Sequence, residues 1–337
     1  MKICIFGAGA IGGYVGAMLA DGGVDVSLIA RGAHLQAMRD NGLTLRFKDE
    51  TKNVAVTATD DPATLGPQDY VIVALKAHQA WESAEKFAPL LGPDTAVVTM
   101  QNGIPWWYFH GLDGDFAGRQ LESVDPQGRQ WQAIGPERAI GATVYPATEI
   151  AEPGVIKHIY GDKFGFGEPD RSQSPRLTKL VEAFEAGGLK ARVYDDIRND
   201  IWLKLWGNLC FNPISALTHA TLDVIATDPG TRAIAHQMMS EAEQIATKLG
   251  ASFRVDIERR INGAAGVGAH RTSMLQDLDK GRAIELDALL GVVQEMGQMT
   301  QIPTPMIDTV LALTQQMGRF AGVYPVYPET QPAASAA

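Results

Sequence analysis

Residues Lys2-Ile3-Cys4-Ile5-Phe6 form a short apolar run that leads without a break into Gly7-Ala8-Gly9-Ala10-Ile11-Gly12, with Gly13 behind it. No other stretch limits the fold as tightly. The run reads as a buried strand, and Ala10, Val15, Ala17, Met18 and Leu19 then follow in a helical pattern. Each glycine answers a separate demand in such a unit. Gly7 permits a tight turn, Gly9 lets backbone approach a pyrophosphate, and Gly12 lets helix and strand pack closely. Ala8, Ala10 and Ile11 complete the cradle, where the helix N-terminus turns its unpaired N–H groups and positive dipole end toward the phosphates. A glycine turn alone is a weak signal. One that closes a strand and opens a helix at the start of an alternating α/β pattern points to a dinucleotide-binding Rossmann domain.

The next elements bear on which dinucleotide. Val24 to Ile29 reads as a second parallel strand, and it is followed by Ala30-Arg31, with no Asp or Glu at that point. An acidic side chain there would bind the ribose 2′-hydroxyl of NAD, whereas an arginine accommodates a 2′-phosphate. The cofactor expected is therefore NADP(H), with Arg31 on the phosphate. Residues 43–47 and 53–57 alternate apolar and polar side chains and are expected as a pair of strands decorating the sheet. Tyr70 to Leu75 reads as a central strand that delivers Lys76 at its carboxyl end, where ligands of open α/β sheets bind. Lys76 is a cofactor contact or simply the start of the next helix. Thr95 to Met100 delivers Gln101-Asn102-Gly103. Asn102 reads as an amide donor to a nicotinamide ribose or a substrate oxygen, or as the turn chemistry that Asn-Gly favours by itself.

Residues 104–135 interrupt the alternation. They contain Trp106-Trp107-Tyr108-Phe109, several glycines and a polar stretch ending at Gly135-Pro136. An excursion of that length is expected to be a lid or an oligomer contact, with equal weight on each, so a homodimer is kept open. The sheet should resume at 139–145, continue through 155–159 and 164–166, and end with a helix near 174–186 and a strand at 190–194. From Asp195 the pattern turns helical. The expected organisation is a Rossmann domain over 1–194 with the insertion 104–135, an all-helical domain over 195–322, and a Pro- and Ala-rich disordered tail over 323–337. In the helix from Ile197 to Leu217, Lys204, Asn208 and Asn212 recur at i, i+4 and i+8, a polar stripe among Trp and Leu that is hard to explain as packing. Further helices are expected near 229–250, 253–262, 272–300 and 303–320.

Bulk properties narrow the function classes. A chain of 337 residues suits two domains, and its net charge of −10 argues against a nucleic-acid or anionic-membrane surface as the main partner. The two cysteines, Cys4 and Cys210, give neither a disulfide framework nor a metal-ligand spacing, so no metal is expected. A reducing, cytoplasmic location fits, with no signal-peptide layout at the N-terminus and no apolar run long enough to span a membrane.

Taken together, Gly7 to Gly12, Leu75-Lys76, Gln101-Asn102-Gly103, Trp202-x-Lys204-Leu205-x-x-Asn208-x-x-x-Asn212-Pro213, and Ser273-Met274-Leu275-Gln276-Asp277 followed by Glu285 resemble the ketopantoate reductase family, also called 2-dehydropantoate 2-reductases. The pieces occur in the family's order and span most of the chain. The resemblance implies NADPH-dependent reduction of a 2-oxo acid in the cleft between the two domains. The first substrate expected is 2-dehydropantoate (ketopantoate), reduced to pantoate in pantothenate biosynthesis. It also implies Lys204 as proton donor, Asn208, Asn212 and Ser273 as substrate contacts, and Asn102 and Glu285 near both cofactor and substrate. The chemistry suits Lys204, because an ammonium supplies both a positive neighbour and a proton to a developing alkoxide. Glu285 could fix that ammonium or hold the product hydroxyl, or else pair with Arg282. Ser273-x-x-Gln276 also reads as a capping box that sets Ser273 at a helix mouth.

Three alternatives stand beside this reading. The aromatic excursion would suit a larger or aromatic 2-oxo acid. A helical Lys with an Asn four residues on also occurs in β-hydroxyacid dehydrogenases. A non-catalytic NADP sensor would keep the glycines and Arg31 yet have no use for Lys204. No cation is evident for the substrate carboxylate.

Overall fold

The computed structural model describes residues 1–324, and the chain divides into two compact units, Met1–Lys204 and Leu205–Ala337. In the first unit the glycine turn joins β1 (Lys2–Phe6) to α1 (Ala10–Asp21), and β2 (Asp25–Ile29) leads into α2 (Gly32–Asn41). There follow β3 (Leu43–Phe47), β4 (Glu50–Val54), β5 (Thr57–Thr59), β6 (Gln68–Val73), α3 (Ala77–Glu82) and β7 (Leu91–Thr99). After the excursion, which contains α4 (Arg129–Ile134), come β8 (Ala139–Val144), β9 (Ala147–Glu152), β10 (Val155–Tyr160), β11 (Lys163–Gly167), α5 (Pro175–Ala186) and β12 (Lys190–Val193).

The main sheet has eight strands in the order β12-β11-β8-β7-β6-β1-β2-β5, parallel throughout except where β11 runs against β8. Its central strands are apolar on both faces, with Ile3, Cys4, Ile5, Val71, Ile72, Val97 and Val98 fully buried. Such strands are stable only under cover on both sides, as βαβ crossovers supply. The register aligns Phe6 with Val73 and Val73 with Thr99, so Gly7, Ala74 and Met100 all begin just past the carboxyl ends. The α/β fold with an N-terminal Rossmann-like sheet domain and a helical C-terminal domain agrees with the sequence reading.

Two expectations about the strands need correcting. The segments at 43–47 and 155–159 are not part of the main sheet. They form a second sheet, ordered β4-β3-β10-β9, in which β3 pairs with β10 in parallel across more than a hundred residues of sequence. The segment expected at 53–57 is divided, with β4 in this second sheet and β5 at the edge of the main one. The second sheet packs on α1, whose Gly13 makes room for it: a methyl group there would sit 2.8 Å from the Ile156 side chain.

The aromatic start of the excursion is interior structure, whereas residues 111–120 are largely exposed. Trp106, Trp107, Tyr108 and Phe109 are all buried, so their rings form neither the inner face of a lid nor an oligomer contact. Burying a ring of that size contributes about 4–6 kcal/mol gross, which explains why the chain folds them inward. Trp107 Nε1 donates to Thr99 Oγ1 at 2.9 Å, Trp106 meets Trp131 edge to face, and Tyr108 meets both Phe109 and Trp202 in the same manner. Arg198, itself buried, donates through Nε to the Tyr108 carbonyl at 2.8 Å and through its two terminal nitrogens to the carbonyls of Pro169 and His110.

The long helix α6 (Ile197–Thr218) crosses from the first unit into the second. The second unit then continues with α7 (Leu222–Thr227), α8 (Pro229–Lys248), α9 (Ile257–Ala265), α10 (Ser273–Asp279), α11 (Val292–Thr300) and α12 (Pro305–Phe320). Trp206 stacks on Phe253 with centroids 3.8 Å apart and donates to the Met239 carbonyl. The carboxylate of buried Glu241 accepts from Met306 N and Ile307 N, satisfying first-turn donors of α12 where the helix dipole favours an anion.

The single helix expected over 272–300 is three pieces. α10 stops at Asp279, a non-helical stretch runs to Leu286, and a π turn at Asp287–Gly291 precedes α11. Of the tail expected over 323–337, residues 325–337 lie outside the described residues, while Val323 and Tyr324 are buried parts of the second unit.

Candidate active site

The glycine turn is built as a cradle. Gly7 has φ +105°, a conformation side chains rarely adopt, and a methyl group at Gly12 would lie 2.1 Å from the Gly7 carbonyl oxygen. At Gly9 nothing lies within 4 Å of the same position. Gly9 is the N-cap of α1 without a side-chain cap bond, and the first turn holds no acid. An open backbone approach, exposed helix donors and no anion in the first turn fit the pyrophosphate of a dinucleotide. The N–H groups of Gly7 and Ala8 donate to the Ile29 carbonyl at 3.2 and 2.9 Å, fastening the turn to the end of β2. Two residues on, Arg31 is the exposed N-cap of α2.

Lys76 is the half-buried N-cap of α3. His78, two residues further, is pushed from 6.5 to about 4, chiefly by burial and additionally by the Lys76 charge. Its imidazole is neutral in the folded protein at ordinary pH. The unfolded chain takes up that proton near 6.5 and the folded chain only near 4, so stability is complete above the first value and falls as pH drops toward the second. A loss of up to about 3 kcal/mol is expected across this window. Urea midpoints compared at about pH 7 and about pH 4.5 check this, and equal midpoints would mean a solvated ring.

Asn102 follows β7 by three residues and stands before Gly103, whose φ is +92°. Its Oδ1 accepts a hydrogen bond of 2.8 Å from Lys204 Nζ, across 102 residues of sequence. The same ammonium lies 5.8 Å from the ring centroid of Tyr145, within range of a cation–π attraction. Tyr145 is partly exposed and follows β8. The sequence reading placed Tyr145 only as a strand end, because nothing local marks which aromatic residue faces a lysine 59 positions later.

The remaining candidates belong to the second unit. Asn208 is half-buried and Asn212 buried, both on α6, whose i+4 spacing puts them on the stripe that begins with Lys204. Ser273 is exposed and is the first residue of α10. The capping box read there does not form: Thr272, one residue earlier, is the N-cap, its Oγ1 accepting from Leu275 N, and the Gln276 amide nitrogen donates to the Arg271 carbonyl. Glu285 is half-buried in the non-helical stretch after α10, so it does not share a helix with Ser273 or stand in helical i, i+3 relation to Arg282. Residues 323–324 hold that stretch in place. Ile284 N donates to the Val323 carbonyl at 2.8 Å, and Tyr324 OH donates to Asp287 at 2.7 Å.

Burial pushes both thiols, Cys4 and Cys210, up to about 12, so neither is a ready nucleophile. Among the described residues no group of three or more His, Cys, Asp or Glu side chains could hold a metal ion, and no helix is long and apolar enough to cross a membrane.

Comparison with known proteins follows this division of the chain. Residues 3–106 match the family model "Ketopantoate reductase PanE/ApbA", and residues 196–318 match "Ketopantoate reductase PanE/ApbA C terminal". A 2-dehydropantoate 2-reductase from Mesorhizobium japonicum is 54% identical over 325 residues, covering 96% of this chain and all of that one. A solved structure from Ralstonia solanacearum MolK2 is similar with a TM-score of 0.92 at 42% identity, covering 96% of this chain and 99% of the other. D-mandelate dehydrogenase, solved with NADH and anilino(oxo)acetate, shares the fold with a TM-score of 0.81 at 21% identity, over 96% of this chain and 100% of that one.

Proposed function

This chain belongs to the ketopantoate reductase family, and on that premise we propose that it reduces 2-dehydropantoate to pantoate with NADPH, through the residues described above. The observation that carries the reading is the Lys204 ammonium held 2.8 Å from Asn102, at the end of the sheet where the glycine turn opens. Gly7 to Gly12 would hold the pyrophosphate, Arg31 the 2′-phosphate, and Lys76 and Asn102 the nicotinamide half. When bound, NADPH supplies hydride to the ketone carbon. Lys204 neutralises the charge that gathers on the ketone oxygen and donates its proton there, so the product leaves as a hydroxyl. The transfer runs downhill, since an alkoxide is far more basic than an amine of ordinary pKa about 10.4. Asn102 orients the ammonium through its amide oxygen, which leaves its NH2 as the group that donates to a ligand oxygen. Asn208, Asn212 and Ser273 would contact the substrate, and Glu285 would steady the ammonium or the product hydroxyl. The buried free thiols Cys4 and Cys210 accord with a reducing cytoplasm.

The relatives give no support to a larger or aromatic 2-oxo acid or to a cofactor sensor, and the buried aromatics of 104–135 remove the argument for a wider pocket. The test is NADPH oxidation with 2-dehydropantoate against benzoylformate, with the former expected to be much the faster; a preference for benzoylformate would overturn the assignment. Arg31→Ala is expected to weaken NADPH binding about 10- to 100-fold, the worth of a charge-assisted phosphate contact, and NADH binding by no more than about twofold. Equal losses on the two cofactors, measured by titration calorimetry, would show that Arg31 does not read the phosphate.

A further inference from the structure

His34 lies on α2, one turn after Arg31, and is half-buried. Its Nε2 is 2.8 Å from the Ala8 carbonyl oxygen, and its Nδ1 is 2.9 Å from the backbone N of Gly154, in the turn between β9 and β10. The second contact fixes the tautomer. Gly154 N–H can only donate, so Nδ1 accepts and Nε2 carries the hydrogen given to Ala8. Burial lowers the imidazole pKa, which agrees with a neutral ring. One side chain thus joins three things the chain keeps apart: the glycine turn, the helix that begins at Arg31, and the second sheet.

The Ala8 oxygen belongs to the peptide that continues into Gly9. No described peptide is cis, and a trans peptide points its C=O and N–H in opposite directions. Holding the oxygen toward His34 therefore aims the Gly9 N–H the opposite way, at the N-cap where α1 begins, and a side chain's place on Gly9 is open as well. Without that tether the 8–9 peptide can rotate and the donor loses its aim.

We propose that His34 is a positioning residue for the cofactor: it sets the Ala8–Gly9 peptide so that the turn presents its N–H groups to the pyrophosphate. This rests on reading the glycine turn as the NADPH cradle. The donor to Ala8 is the functional bond, and the acceptor from Gly154 serves to hold the ring in its tautomer.

Two variants separate the bonds. His34→Gln carries an amide nitrogen at the reach of Nε2 and keeps the donor to Ala8, whereas His34→Asn keeps a polar atom at the reach of Nδ1 and loses that donor. Binding of NADPH, and of 2′-phospho-ADP-ribose as a probe lacking nicotinamide, is measured by titration calorimetry alongside thermal unfolding. His34→Asn is expected to bind both ligands about tenfold more weakly, the loss of one hydrogen bond, with the KM for the 2-oxo acid unchanged. His34→Gln is expected to stay within about threefold of the parent protein. The proposal is overturned if both variants bind as the parent does, if Asn binds better than Gln, or if both weaken equally in step with a lowered Tm. Failure of the parent protein itself to bind NADPH would instead remove the reading of the glycine turn.

Discussion

Lys204→Ala is expected to lower kcat for 2-dehydropantoate by about 100- to 10,000-fold, the usual worth of a positioned general acid, while NADPH should bind within about twofold of the parent. The separation follows from geometry. The ammonium is held by the Asn102 amide oxygen and the Tyr145 ring, none of which belongs to the glycine turn. In the proposed role its work is confined to the oxygen that takes up the proton, so its loss would be felt once charge develops there. Lys204→Arg keeps the charge, yet a guanidinium does not release its proton in a protein, so this variant recovers only part of the rate. Stopped-flow turnover with cofactor titration on the same samples reads both quantities. A parallel fall of NADPH affinity and kcat would mark Lys204 as a structural prop.

Arg198→Met is expected to destabilise the protein by about 3–5 kcal/mol, among the largest single-residue effects outside the site. The guanidinium is buried and gives hydrogen bonds to three carbonyls, at Tyr108, His110 and Pro169, while it lies 5.7 and 5.4 Å from the ring centroids of Trp107 and Tyr108. Methionine fills much of the volume but takes the donor from three carbonyls, two of them, at Tyr108 and Pro169, in the buried interior. Arg198→Lys can reach some of them and should recover part of the loss, since one ammonium cannot imitate a planar fork. Urea unfolding gives the comparison. A shift below about 1 kcal/mol would mean that water replaces the guanidinium. The bond between Trp202 Nε1 and Tyr108 OH, at 2.7 Å one helical turn further on, closes the same seam.

What the sequence disclosed, it disclosed through backbone demands and local period. The glycine turn was legible because Gly7, Gly9 and Gly12 each meet a constraint that only their own neighbours impose. The central strands were legible because a strand buried on both faces is apolar without interruption. What escaped depended on partners far away in the chain. Trp106 to Phe109 read as part of a lid or an oligomer contact because the residues that bury and fasten them, Trp202 and Arg198, come some ninety positions later. The second sheet was invisible because β3 meets β10 only after the main sheet is threaded between them. The break after Asp279 escaped for a different reason: apolar residues recur through the non-helical stretch much as they do in the helices on either side. Thr272 and Ser273 are adjacent and both able to cap, and only coordinates separate them. Within the site, Lys204 and Asn102 were each suspected from position, but their hydrogen bond was not, and His34 gave no signal beyond standing three residues after Arg31.

The parallel pairing of β3 with β10 has a consequence for how this chain is made. As the polypeptide leaves the ribosome, the glycine turn and α1 emerge well ahead of their cover: the side chain over the Gly13 face of that helix is Ile156, which is translated more than a hundred residues later. Until then the nascent chain carries α1 with one flank bare and a strand, β3, with a vacant edge. Long-range pairing of this kind is slow to form, so the glycine turn and its helix are made long before their packing can be finished.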